Sequence, residues 1–424
     1  MRPISARRCL AGHLLACVTS PSPPPLWPIS MPPIRVAAHV DVRYTTRRPT
    51  GVDKHIARMV HGLATCPGFE VSVIAPRSQL AAGRLPDTSS LHGLPVQPIP
   101  LSNRWGRLVW SVASFPPIDR YCPGVDWVWS PQELWAPTRH ARTAVTIHGS
   151  TWFEPNCPDH DSLWAGWERL RMGHFFRRVC AHADLILPVS RYLERFLVDR
   201  FGLSKDRSVV IGNGVDKPFF AAGAAAMAGD AGSWYDRDKL LVVGGLNAWD
   251  GIDSILAAAD ALAARLPAVT IDVVGTMDDA RAVTACERRP NIRRLGFRSP
   301  EELASMMPGY LSLLYLPNVE SFGMVALEAM AAALPVLACR LTAVPETAGE
   351  GAWYVDHERP ETVADAVVAL RDDRGLRGAW VDRGRRRAAG FTWEACIDRL
   401  AVALQQPSPM AVNCSSVGLP GGSS

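Results

Sequence analysis

Residues 311 to 338 confine this chain to few folds. Leu311 to Leu316 is a short, largely apolar run suited to a buried strand, and Pro317-Asn318 turns the chain. Met324 to Ala333 is helix-forming, and Val336 to Ala338, after Pro335, is a second buried run. Strand, turn, helix and strand in that order make a βαβ unit, whose turns sit at the carboxyl ends of parallel strands. Open α/β sheets take their ligands there.

Two carboxylates flank the turn. Glu320 precedes the helix and Glu328, eight positions on, lies about two turns in on roughly the same side. Ser321 is the expected N-cap, and Gly323 leaves the first-turn amides open. Free amides and the positive end of a helix dipole make an anion site, and a carboxylate on either side suits sugar or ribose hydroxyls. The same spacing also fits an ordinary amphipathic helix with two solvated glutamates.

The alternation extends in both directions. Upstream, Ile34 to Val40 reads as a strand with His39 near its end, and Arg47, Arg48, Pro49, Thr50 and Gly51 form a loop. Val52 to Leu63 is helical by its apolar spacing, and Val71 to Ala75 is a strand. Residues 77 to 139, crowded with Trp105, Trp110, Trp127, Trp129 and Trp135, give no clear period; most of these rings are expected in the core. Ala144 to His148 is a strand ending on a histidine that faces a cleft in such a sheet. A helix over 161–182 carries Arg169, Arg171, Arg177 and Arg178, and a strand at 184–190 leads to a helix ending near Phe201. Leu240 to Val243 begins a second set: a helix with Ile252, Ile255, Leu256, Leu262 and Leu266, then strands at 269–275 and 292–296.

At 424 residues the chain holds two α/β domains, and 48% hydrophobic with 20% charged residues is globular. The net charge of +4 rests almost wholly on arginine, since Lys54, Lys205, Lys217 and Lys239 are the only lysines. No basic run is interleaved with aromatics, which excludes a nucleic-acid partner as the expectation; a weak fit to an anionic membrane surface remains. Ten cysteines stand singly, without C-x-x-C pairs or histidines at metal spacing, as in reduced cytosolic proteins. Residues 1 to 30 combine three arginines, a brief apolar patch and a proline-rich run; Met31 before Pro32-Pro33-Ile34 reads as a natural start. The 406–424 stretch, rich in Ser, Pro and Gly, is expected to be disordered.

E-S-F-G-M-V-A-L-E-A-M-A (320–331), then P-V-L-A (335–338) and V-P-E (344–346), resembles the signature of retaining GT-B glycosyltransferases of family 4. T-I-H (146–148), L-P-V-S-R (187–191), V-I-G-N-G-V-D (210–216) and F-T-W-E (391–394) are similar to further blocks of that family, in its order. The resemblance covers about 36–404. It implies two Rossmann-like domains facing across a cleft: 34–216 for the acceptor, a linker at 217–236, and 237–390 for the donor. A terminal helix at 391–405 returns to the first domain, and 1–33 is a disordered or misassigned extension. It further implies transfer of a hexose from a GDP- or UDP-sugar with retention, no cofactor and no metal. The acceptor is a lipid-linked or polysaccharide intermediate at the cytoplasmic face of the membrane. T-I-H points to mannose. Residue by residue, Glu320 and the amides of Phe322 and Gly323, following Ser321, hold donor sugar and phosphate. Glu328 binds ribose, His148 lines the transferred sugar, and Gly51 closes a loop over the phosphate.

The chain departs from the pattern where it matters for charge. Gly245 and Asp250 stand where the family grips the diphosphate with Arg and Lys, and Gly149 replaces the Asp after the histidine. Thr342-Ala343 and Ala333 replace glycines. Arg298 or Arg340 is the expected substitute cation. A non-catalytic sugar-nucleotide-binding relative is the alternative.

Overall fold

The structure is a computed structural model that describes residues 32–46, 50–100, 109–110, 114–157, 160–229, 235–244, 246–277 and 280–406. The expectations for 1–31, Arg47, Arg48, Pro49, Trp105, Gly245 and 407–424 lie outside them.

Two six-stranded sheets organise the fold. The first comprises β1 (Ile34–His39), β2 (Phe69–Pro76), β3 (Val96–Ile99), β4 (Trp127–Ser130), β5 (Arg142–Ile147) and β6 (Leu185–Pro188). Their order is β3-β2-β1-β4-β5-β6, all parallel. The tryptophan-rich stretch supplies β3 and β4. Trp127 and Trp129 are buried, and each indole N–H is satisfied, donating to Leu404 O at 2.9 Å and Thr146 Oγ1 at 3.1 Å. Helix α1 (Gly51–Thr65) opens on a capping box between Thr50 and Asp53 and lays Ile56, Met59, Val60 and Leu63 against this sheet. Helices α2 (Leu163–His182) and α3 (Arg191–Phe201) complete this half.

Helix α4 (Lys217–Ala228) occupies most of the expected linker. It is a packed element: a side chain at Gly223 would fall 2.1 Å from Ala331 O, so only glycine lets α4 approach the second half this closely.

The second sheet comprises β7 (Asp236–Val243), β8 (Thr270–Val274), β9 (Ile292–Gly296), β10 (Tyr310–Tyr315), β11 (Val336–Ala338) and β12 (Ala352–Tyr354). Its order is β12-β11-β10-β7-β8-β9, again parallel. The helices between its strands are α5 (Ile252–Arg265), α6 (Ala280–Glu287), α7 (Pro300–Met306), α8 (Met324–Ala331) and α9 (Val344–Ala348). After α10 (Pro360–Asp372) and α11 (Arg374–Ala388), the terminal helix α12 (Trp393–Gln405) packs Trp393, Leu400 and Leu404 into the first half's core. Gly214 permits that return, since any side chain there would lie 2.3 Å from Trp393 N. The result is an α/β protein of two Rossmann-like halves.

Candidate active site

The carboxyl ends of β10 and β7 face those of β1 and β5 across a closed cleft. A Cβ at Gly51 would lie 3.3 Å from Met324 Sδ, and one at Gly149 would lie 3.3 Å from Ser321 Oγ. The rings of Trp152 and Trp249 meet edge to face with centroids 5.2 Å apart. A Cβ at 149 would also lie 3.3 Å from Thr151 Oγ1, so any side chain there crowds the two hydroxyls by a few tenths of an ångström.

Glu320 sits at the centre of the second half's side. Its Oε1 accepts from the amides of Ser321 at 2.9 Å and Phe322 at 3.1 Å, and Tyr315 donates its hydroxyl to Oε2. Its own amide donates to Thr342 Oγ1 at 2.9 Å. Two expectations are corrected by this. Ser321 is not the N-cap: Gly323, at φ +100°, occupies that position, because only a left-handed residue turns the chain into α8 here. The Phe322 amide is not free for phosphate, because Glu320 has taken it. No side chain caps α8, so its positive end at Gly323-Met324 is left uncapped.

Glu328 stands in the second turn of α8, is buried, and receives Lys54 Nζ from α1 at 2.7 Å. Burial pushes its carboxyl up, and the Lys54 ammonium opposes that without overcoming it. Glu328 is therefore an interior ion-pair partner joining the halves, not the solvated residue of an amphipathic helix.

His148 follows β5. Its amide donates to Glu133 Oε1 at 2.6 Å and its Nε2 donates to Pro131 O at 2.9 Å. A carbonyl only accepts, so in the neutral ring the proton is on Nε2 and Nδ1 carries the lone pair, free to accept from a hydroxyl. His55, fully buried on α1, meets the His148 ring edge-on at 4.6 Å and holds Asn213 Oδ1 through Nδ1 at 2.7 Å. Burial, then the neighbouring His148, drives His55 well below the usual histidine range, so it is neutral. Its Nε2 has no protein partner.

Asp250 is drawn under Gly244, where a Cβ would lie 3.1 Å from its Oδ1. Burial raises its pKa to about 6; the Asn247 amide lowers it, and the nearby Glu320 charge raises it. Asn318 ties this loop to the Glu320 turn, its side-chain amide donating to Ala248 O at 2.8 Å and its backbone amide to Trp249 O at 3.0 Å. The position expected to bring a cation thus brings a second carboxylate. The substitutes do not gather here either. Arg298 follows the edge strand β9 and donates to Phe297 O at 2.9 Å, and Arg340 lies over Tyr354. Among the described contacts neither reaches Glu320, Asp250 or Glu328.

Sequence reasoning missed Lys54, His55, Tyr315, Thr342 and Asn213. One signal was available for Lys54: a rare lysine among the first residues of a helix that begins at a cleft glycine.

The order of strands, the closed cleft and the helix start at Glu320 agree with two family models. The model described as glycosyl transferases group 1 matches residues 237–373, and that described as glycosyltransferase family 4 matches 49–217. The chain belongs to the group 1, family 4 glycosyltransferases. It is 28% identical over 360 residues to the phosphatidyl-myo-inositol mannosyltransferase of Mycolicibacterium smegmatis, covering 82% of this chain and 88% of that protein. It is 30% identical over 266 residues to the D-inositol 3-phosphate glycosyltransferase of Geodermatophilus obscurus (58% of this chain, 57% of that protein). With an uncharacterized glycosyltransferase of Methanocaldococcus jannaschii it shares 25% over 226 residues, 53% of this chain and 60% of that one. The chain thus spans about 60% of the length of the last two relatives. Among solved structures, WaaG, a glycosyltransferase involved in lipopolysaccharide biosynthesis, superposes with a TM-score of 0.64 at 15% identity, covering 88% of this chain and 100% of its own. Sucrose-phosphate synthase from Thermosynechococcus elongatus gives 0.66 at 17%, covering 90% and 100%. These neighbours place the chain in the GT-B fold.

Proposed function

We propose that this glycosyltransferase moves a hexose, mannose first, from a GDP- or UDP-sugar to a lipid-linked or polysaccharide acceptor, retaining anomeric configuration and needing no metal. The observation that carries the reading is the uncapped start of α8 beside Glu320, directly across the closed cleft from His148-Gly149. The helix end supplies fixed positive potential for the diphosphate as it leaves. Glu320, pre-oriented by Tyr315, offers acceptor oxygens to the sugar, and His148 Nδ1 receives a sugar hydroxyl from the other side. Entry of the donor displaces Lys54 from Glu328 if that carboxylate is to meet ribose. With no side chain placed as an obvious nucleophile, substrate positioning and leaving-group stabilisation carry the rate.

Relatives named as mannosyltransferases support the sugar, and an Anabaena chain of the same fold crystallised with UDP and glucose supports a nucleotide donor. In this reading the protein works in the cytoplasm, where its singly placed cysteines stay reduced, and meets its acceptor at the inner membrane face. No described helix is long and apolar enough to cross a membrane. Slow release of free GDP or UDP from a panel of sugar nucleotides, unaffected by EDTA, is the expected result. Glu320→Ala is expected to lower that release by at least ~100-fold, the scale of losing one fixed stabiliser of transition-state charge.

One observation favours a second reading, a non-catalytic sugar-nucleotide-binding protein. Asp250 and Glu320 place two carboxylates where a diphosphate needs cations. Binding of nucleoside diphosphates by calorimetry with no turnover of any donor would establish it.

A further inference from the structure

The amino-terminal half of α2 turns large apolar side chains outward. Leu163 is 94% exposed, Leu170 71%, Trp164 63% and Trp167 54%, and the two indoles stack on each other with centroids 5.9 Å apart. At 100° per residue Leu163, Trp167 and Leu170 share a face with Arg177 and Arg178 farther along, and Trp164 flanks it. The helix is thus apolar at its outer tip and basic over its next turns.

Beside that ridge lies a cavity of about 520 Å³ bordered by Leu170, Phe153, Arg169, Arg177 and Arg200. No carboxylate lines it. Arg169 donates to His160 O at 2.6 Å, Arg177 to Gly173 O at 3.3 Å, and Arg200 lies over the Phe153 ring at 4.9 Å. None of the three belongs to an ion pair among the described residues, so three guanidiniums converge on a hollow with uncompensated charge.

We propose that this face docks the protein on an anionic lipid bilayer. Leu163, Trp164, Trp167 and Leu170 enter the interface, and a phospholipid phosphate sits among Arg169, Arg177 and Arg200. Tryptophan and leucine beside arginine match the apolar–charged boundary of a bilayer, and guanidinium pairs bidentately with phosphate. Phe153 also walls the 260 Å³ cavity that contains His148 and Trp152, so a lipid held at α2 has its head beside the acceptor side of the cleft. The proposal deepens the peripheral contact put forward above and rests on that reading for its purpose, not for its test.

The test is co-sedimentation of the full chain with phosphatidylcholine vesicles and with vesicles containing phosphatidylglycerol. Preferential binding to the anionic vesicles is expected. At about fivefold per basic residue, Arg169→Gln/Arg177→Gln/Arg200→Gln is expected to weaken it about 100-fold. Trp164→Ser/Trp167→Ser, which removes two stacked and largely exposed rings, is expected to weaken it with the fold intact by thermal melting. Absence of wild-type binding, binding that both variants retain, or self-association abolished by the same substitutions without vesicle binding would each overturn the proposal. Donor release is measured without vesicles on all three proteins. Its absence in the wild type sinks the transferase reading alone, and its constancy across variants leaves the vesicle result to decide the docking.

Discussion

At pH 7 a carboxylate with a pKa of about 6 is mostly ionised, so Asp250 adds a second negative charge beside Glu320. Its folded pKa is raised above the ordinary 3.8 by burial. The stability it contributes is therefore complete below about pH 4 and lost as pH rises through about 6. At ~1.4 kcal/mol per unit, the shift makes ionised Asp250 a liability of about 3 kcal/mol at neutral pH. Asp250→Asn is expected to stabilise the protein by up to that amount at pH 7.5 and by little at pH 4, read from urea melts. It is also expected to tighten nucleoside-diphosphate binding about tenfold at pH 7.5, with the difference vanishing toward pH 5, read by calorimetry. At this scale the sequence made residue types legible: a glutamate before a helix, an aspartate in place of a lysine, a histidine closing a strand. It did not make legible that Glu320 would bind its own neighbours' amides. Tyr315 and Thr342, which hold it there, belong to the end of β10 and the loop after β11, and only the folded sheet brings them together.

The turns around α8 show how two lost glycines have different consequences. Ala333, at φ +61°, ends the helix in a left-handed conformation that costs an L-residue about 1 kcal/mol, and its methyl has no polar role. Ala333→Gly is expected to raise the melting temperature by roughly 1–2 °C in a protein of this size. Thr342, at φ +48°, sits in the same region of backbone space, but its hydroxyl accepts the Glu320 amide. The gain in backbone freedom at Thr342→Gly is offset by the lost bond, and calorimetric scans are expected to show no stabilisation. Element positions were readable wherever apolar period and length agreed, as in β9, β11 and α3. β3 and β4 were not, since four-residue strands set among prolines and tryptophans carry no period. β12 has the same three residues as β11 in length, but Trp353 and Tyr354 are only half-buried and no proline or apolar run marks it off.

At the scale of the whole molecule, Lys54 and Glu328, 274 residues apart in sequence, form an ion pair that joins the halves. No local pattern couples such positions, so the two-sheet architecture was legible from repeated alternation while this contact between the halves was not. Lys54→Met leaves Glu328 buried without its partner, and a loss of about 3 kcal/mol is expected at pH 7.5. Protonation removes the stranded charge, so that loss should shrink as pH falls toward 5. Lys54→Met/Glu328→Gln should recover most of it in the same melts.

Glu346 from the second half accepts the amides of Arg191 and Tyr192, the first residues of α3 in the first half, each at 2.7 Å. When the halves part, those two amides lose their acceptor and meet water. Hydrogen–deuterium exchange at this one dipeptide therefore acts as an internal clock for opening, needing no label. A bound sugar nucleotide that holds the halves together should slow the clock, while exchange in the interior of α3 stays as it was.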